Sequence, residues 1–239
     1  DLAKEMGMES YLPSTHVEVV LNGNYAGNYQ LVGNVRVEES RVNIFDWEDA
    51  AGDAAKAIAK KHGLAKDQQD ALEDYLVENM EWITSEQGIN YNGSVYPRED
   101  YESVLPTDAS GNVDLSGGFL FELDAYYDEA SKFQTTYSQP FMFKSPEFVI
   151  TNKELFSTAQ NYIQALENSI HASDFYTTYQ NESVHYTDLA DLDSLVRYFV
   201  LNEFFWNTET MKKSTFMYKD LGKKLYVGPV WDMDWTSNS

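Results

Sequence analysis

Apolar and polar residues alternate from Thr15 to Leu21 and again from Tyr25 to Val32, with Asn22-Gly23-Asn24 between the two runs. Alternation of period two predicts strands, and Asn and Gly tolerate the positive φ of a tight turn, so this stretch predicts a β-hairpin. Ahead of it, Asp1 to Gly7 read as the end of a helix with Gly7 as its C-terminal cap. Arg36 to Ile44 either extends the hairpin sheet or leads into a second lobe. From Phe45 to Thr84 the chain turns rich in Ala, Asp, Glu and Lys, which predicts two helices broken near His62-Gly63. In the second of these, Leu72, Leu76 and Met80, with Tyr75 and Ile83, recur at helical spacing, while Asp70, Glu73, Asp74, Glu78 and Glu81 fill the other faces. That is an amphipathic helix packed on the domain, with a lid or partner-binding role as the alternative.

Gly88 to Gly117 is dense in turn residues and reads as a surface excursion. Gly118 to Asp124 and Phe141 to Lys144 read as strands, Ser145-Pro146 ends the extended run, and Asn152 to Ile170 reads as a helix. The last helix is expected to begin at Thr187 or Asp188 and to reach Phe205, with Leu189, Leu192, Val196 and Phe199 on its apolar face. Glu203 is the next position on that stripe. A buried carboxylate must be paired or hydrogen-bonded, so Glu203 is read as a brace for the loop that follows. Lys213 to Tyr218 and Lys224 to Val230 flank Asp220-Leu221-Gly222-Lys223 and predict a second hairpin.

A chain of 239 residues, 43% hydrophobic and 15% aromatic, is long enough to bury a large core as one domain or two small lobes. Its 39 acidic against 17 basic side chains give a formal charge of -22. That charge disfavours nucleic acid, whose affinity comes largely from Lys and Arg displacing counterions, and it repels anionic membrane surfaces. Without Cys there are no disulfides, thiolate nucleophiles or Cys-based zinc sites. No apolar run reaches the roughly 20 residues of a membrane span, and the first residues do not read as a signal peptide. His16, His62, His171 and His185 are far apart and form no zinc-hydrolase pattern. Asp124, Asp128 and Glu129 lack EF-hand spacing and read as a solvated acidic turn rather than a Ca2+ site.

The chemistry concentrates near the C-terminus. Glu209 is followed five residues later by Ser214 and, beyond the second hairpin, by Asp232 and Asp234 in Gly-Pro-Val-Trp-Asp-Met-Asp-Trp. A carboxylate, a small oxygen-bearing side chain and a second carboxylate across a hairpin make the layout of a kinase-type phosphotransferase, which needs metal ligands and an acceptor-orienting base. Hard oxygen ligands suit Mg2+.

The surrounding words carry a resemblance. Leu201-Asn202-Glu203-Phe204-Phe205-Trp206-Asn207, Lys213-Ser214-Thr215-Phe216-Met217-Tyr218-Lys219-Asp220 and Gly228-Pro229-Val230-Trp231-Asp232-Met233-Asp234 resemble the C-terminal signature of the CotH kinase family, the spore-coat and secreted kinase-like proteins. Val17 to Leu31 is similar to that family's Asn-Gly hairpin, and Gly117 to Asp124 with Phe141 to Glu147 to its middle block. The resemblance implies an α+β fold of the atypical protein-kinase-like CotH type. It divides the chain into a partial N-terminal lobe (1–44), an acidic helical insertion with a surface loop (45–116) and a C-terminal lobe carrying the site (117–239). The family places a Gly-rich element and a Lys-bearing strand ahead of the first helix, so the N-terminal lobe is expected to be incomplete here.

By the same resemblance, Asp232 is the principal metal ligand and acts in catalysis, Asp234 is a second ligand or holds Asp232, and Ser214 stands where many members carry a metal-contacting Asn. Glu209 stands where the catalytic Asp usually falls, and Gly33 where a Glu is usual. Lys144 is the best basic candidate to meet nucleotide phosphates, and Asn207 is placed at the cofactor loop, fixing it by side-chain to backbone bonds. ATP with Mg2+ or Mn2+ is the implied cofactor, and Ser or Thr of an extracellular or cell-surface protein the implied acceptor. The alternative is a non-catalytic module of a modular secreted bacterial protein, for instance in a surface or cellulose-degrading assembly, with a protein partner. A carbohydrate-binding role for exposed aromatics ranks third, because core packing accounts for most such residues.

Overall fold

The computed structural model describes residues 2–234 and 236. It mixes helices with antiparallel sheet, as the α+β expectation requires. A short helix α1 (Leu2–Glu5) ends at Gly7, whose φ of 72° is left-handed; Asp1 lies outside the described residues. Strands β1 (Ser14–Leu21) and β2 (Asn24–Val32) form the expected hairpin, with Asn22 and Gly23 at positive φ in its turn. The hairpin stands as its own two-stranded sheet, and Val20, Leu21, Tyr25, Tyr29 and Leu31 are exposed on it.

Residues 36–44 neither extend that hairpin nor form a strand, making only a single bridge between Val37 and Val42. Helix α2 (Trp47–His62) is capped by Asp46, which accepts from the backbone of Glu48 and Asp49, and closes at Gly63 in the left-handed conformation. Helix α3 (Lys66–Glu78) follows, as the break at His62-Gly63 predicts. Leu72 and Leu76 are fully buried on it; Met80 and Ile83 continue the buried stripe in a short 3-10 turn. The stripe packs into the core, as expected of an amphipathic helix laid on the domain.

The stretch from Gly88 to Gly117 departs from expectation. It carries a hairpin, β3 (Ile89–Tyr91) and β4 (Ser94–Tyr96), and it buries Ile89, Tyr96, Asp100 and Tyr101. Turn residues mark where a chain bends, not what its intervening side chains touch. Tyr101 donates to the Trp82 carbonyl and stacks edge-on against its ring, so the segment is part of the core.

The centre of the molecule is a five-stranded antiparallel sheet in the order β11 (Leu225–Val227), β10 (Thr215–Lys219), β5 (Phe119–Leu123), β7 (Pro140–Ser145), β6 (Lys132–Gln134). Successive side chains of a strand point to opposite faces. Phe119, Phe121, Phe143 and Met217 accordingly join the large core with α2, α3 and α4 (Lys153–His171), while Leu120, Phe216 and Tyr218 form a smaller core with Val42 and Ile44. Burial on both faces explains why β5 and β10 read as nearly continuous apolar runs. Lys219 and Glu122 are the charged exceptions; the Lys219 ammonium donates to the Ser116 carbonyl and lies 4.5 Å above the Tyr162 ring, and burial pushes its pKa down to about 8.

The last helix also departs from its expected form. A small hairpin, β8 (Tyr176–Tyr179) and β9 (Glu182–His185), leads into a one-turn α5 (Tyr186–Leu189). Ala190 and Asp191 then pair with Leu225 of β11, which breaks the helix, and α6 (Leu192–Phe204) begins with Asp191 as its cap. The face of α6 that packs inward carries Tyr198, Leu201 and Asn202. Leu192, Val196 and Phe199, expected inside, are 43% to 54% exposed, and Glu203 is exposed with them rather than bracing the loop. Both sides of α6 are apolar, and periodicity alone does not say which one is covered.

At the end of α2, Asp100 receives the Lys61 ammonium and the His62 ring, the latter at 2.6 Å. Burial alone would raise its carboxyl, but the His62 and Lys61 contacts outweigh it and hold the group below the usual range. Asp100→Ala is expected to lower the unfolding free energy by about 2 kcal/mol at pH 7, the scale of hydrogen bonds to a charged group. A depressed carboxyl contributes stability above its unfolded pKa and loses it as pH falls through the folded value. The gap between parent and variant in urea unfolding should therefore close in acid.

Candidate active site

The C-terminal end of α6 turns into a loop at Trp206, whose φ is 52°. Asn207 fixes that loop. Its Nδ2 donates to Asn202 Oδ1 at 2.7 Å, its Oδ1 accepts from the Glu209 backbone N–H at 3.1 Å, and its carbonyl accepts from Thr210 Oγ1. Asn202 is itself buried and bonded to the Tyr198 carbonyl, so the loop hangs from the helix core. The Asn207 amide is thus committed within the protein, in the side-chain to backbone role expected of it.

The loop closes on itself before β10. Lys212 and Lys213 donate backbone N–H groups to the Glu209 carbonyl, and the Lys213 ammonium reaches Glu209 Oε1 at 3.1 Å. Ser214 holds a left-handed φ of 46°, and its Oγ donates to Asp232 Oδ2 at 3.2 Å. Asp232, across the β10–β11 hairpin, is also left-handed, with φ 57°. Such backbone is costly for residues other than glycine and is sustained where the surroundings fix it.

Asp232 is exposed to solvent, yet its carboxyl is raised above the usual carboxylate range. Partial withdrawal from water is the largest cause, followed by the hydrogen bond and charge of Asp234; the Ser214 hydroxyl opposes these, and the charge of Glu209 adds to them. Three of the expected residues, Ser214, Asp232 and Asp234, are therefore in contact, with Glu209 within electrostatic range.

Asp232 and Asp234 line a cleft of about 610 Å³, and Ser214 joins it through its bond to Asp232. Its walls come from α1, the base of the β1–β2 hairpin (Ser14, Gln30, Val32), the end of α6 (Leu201, Phe205) and the segment from Val230 to Asp234. Its lining is mixed, with Leu12, Val32, Leu201, Phe205 and Val230 alongside the carboxylates of Asp232 and Asp234. Trp235, the last residue of the motif, lies outside the described residues.

Lys144 is not brought to this cleft. It sits on β7, where it is paired with Glu129 and, at 3.6 Å, with Glu122. Withdrawal from water would lower its ammonium, but the two carboxylates outweigh this and raise it. It is an ion-paired side chain of the sheet face rather than the phosphate-facing cation expected of it. The acidic turn also resolves differently: Glu129 serves Lys144, Asp128 is exposed, and Asp124 is only 5% exposed. Among the described residues no group of three or more His, Cys, Asp or Glu forms a metal site. Two carboxylates and a hydroxyl nevertheless suit Mg2+, which is bound through one or two protein carboxylates, water and substrate phosphates rather than by an all-protein cage.

A family model described as CotH kinase protein matches residues 1–239. The chain belongs to that family. Neither the curated proteins nor the solved structures give a match. A kinase-like fold is what the family implies. In this CotH-family chain the residues that sequence reading missed are Asp124 and Lys213. Asp124 had one signal, a carboxylate at the end of a mostly apolar strand; Lys213 had its spacing of four from Glu209.

A carboxyl whose folded pKa is raised costs stability once pH exceeds that pKa, and costs nothing below its unfolded value. Asp232→Asn is expected to raise the melting temperature of the ligand-free protein at pH 7, with the gain vanishing near pH 3. Thermal melts at the two pH values check this.

Proposed function

We propose that the cleft binds ATP with Mg2+ or Mn2+ and that the domain transfers the γ-phosphoryl group to a Ser or Thr hydroxyl of an extracellular or surface protein. The observation that carries this reading is the Ser214–Asp232 contact at 3.2 Å beside Asp234, with Glu209 on the adjoining loop. The apolar lining of the cleft, with Val32, Leu201 and Phe205, suits a purine ring, and its carboxylates suit metal-bridged phosphates.

Asp232 and Asp234, with the Ser214 hydroxyl, would hold the metal. When bound, it would neutralise phosphate charge that these carboxylates otherwise repel. Glu209 would orient the acceptor hydroxyl and take its proton as the new O–P bond forms and the bond to the β-phosphate oxygen breaks, releasing ADP. Glu209 is engaged by Lys213 in the ligand-free structure, so acceptor binding has to compete with that ion pair.

A second reading has its own observation. Among the described residues lining the cleft there is no Lys or Arg, and Lys144 is committed to Glu122 and Glu129. A cleft with carboxylates and no basic side chain among its described lining residues also suits a non-catalytic interaction module of a secreted assembly.

Calorimetric titration of ATP with Mg2+ or Mn2+ separates the two. The kinase reading expects metal-dependent binding that Asp232→Ala abolishes, and transfer of label from ATP to protein acceptors. Absence of binding with either metal sinks it and leaves the module.

A further inference from the structure

Ser is a short ligand. Its oxygen stands one bond from Cβ, so whether it reaches a metal shared with Asp232 depends on where the backbone at 214 is placed. In this chain that backbone is held by one buried carboxylate. Asp124, at the end of β5 and 5% exposed, accepts the Ser214 backbone N–H on Oδ2 at 3.0 Å and the Tyr126 backbone N–H on Oδ1 at 2.8 Å. The neighbouring Ala125 N–H donates to the Lys212 carbonyl at 3.1 Å, so the end of β5 is stitched to the Glu209–Ser214 loop at two points. Ser214 keeps its left-handed φ of 46° at this junction, and its Oγ is turned to Asp232.

We propose that Asp124 is a positioning residue of the site, acting through Ser214: one carboxylate oxygen is fixed by the Tyr126 N–H of its own turn, and the other holds the Ser214 N–H and so sets the backbone from which the hydroxyl would reach a metal beside Asp232. This rests on the nucleotide-binding reading above. Asp124 itself makes no contact with the cleft; both of its oxygens are occupied by backbone donors. Asn is isosteric but offers one acceptor oxygen and places an NH2 donor against the second backbone N–H, so Asp124→Asn breaks one of these bonds while keeping volume.

The test is Mn2+ uptake in the presence of ATP, read from the free Mn2+ signal by electron paramagnetic resonance. Relative to the unaltered chain, Asp124→Asn is expected to weaken Mn2+ binding about tenfold, the lower end of what loss of an outer-shell partner costs. Ser214→Ala should cost a similar factor, and the double variant no more than either alone, because both changes remove the same contact. Unchanged Mn2+ affinity in Asp124→Asn, or losses that simply add in the double variant, would overturn the positioning role while leaving the nucleotide reading intact. If the unaltered chain takes up no Mn2+ with ATP, the nucleotide reading falls and the positioning role falls with it. Should Asp124→Asn fail to give a cooperative melt, Asp124→Ser, which shortens the reach to Ser214 without inserting a donor amide, carries the same expectation and the same refutation.

Discussion

The structure depends on how strand β5 is held at its two ends. At its start, Gly117 and Gly118 pass so close to neighbouring backbone that a side chain has no room. A Cβ at Gly117 would stand 2.1 Å from the Asp220 carbonyl carbon, and one at Gly118 would stand 2.5 Å from Trp47 Nε1, with φ at 79° besides. Trp47 is fully buried and donates to the Gly117 carbonyl, so this close approach locks α2 onto the sheet. At its far end, β5 finishes in Asp124 and meets the Glu209 loop. The middle strand thus transmits the position of the helical layer to the site.

The site is built of loops, but not of loose ones. Asn207, Asn202 and Asp124 spend their polar groups on one another or on nearby backbone, and Ser214 and Asp232 stay in left-handed backbone beside them. The carboxylates of the cleft repel one another, which is the electrostatic counterpart of the same bargain: a site prepared for a cation is less stable without one. Lys213 relieves part of that repulsion at Glu209 and none of the direct Asp232–Asp234 contact.

Much of this was legible in the sequence wherever the determining interaction is local. Asn22-Gly23 fixes the hairpin turn, Gly63 the end of α2, Asn152 the start of α4, and the apolar runs four of the five strands of the central sheet, all but the short edge strand β6. The motif words also brought Ser214, Asp232 and Asp234 together. What escaped is what depends on a distant partner. The covered side of α6 is chosen by packing, and its start by the pairing of Ala190 and Asp191 with Leu225. Likewise, Lys144 is decided by Glu122 and Glu129, and Asp124 by a backbone donor 90 residues away. No periodicity in the chain encodes those meetings.

The outward stripe of α6, from Leu192 through Val196 and Phe199 to Phe204 and Trp206, bears on how these molecules behave toward one another. A surface of that kind is sticky, whereas a formal charge of -22 keeps identical chains apart. The two effects have different ranges: electrostatic repulsion decays over a Debye length of about 8 Å at physiological ionic strength and about 3 Å at 1 M, while apolar attraction persists and strengthens with structure-making salts. Colloidal stability of this protein is therefore a property of its solvent as much as of its fold, with dilute buffers favouring dispersed molecules and concentrated sulfate favouring clusters.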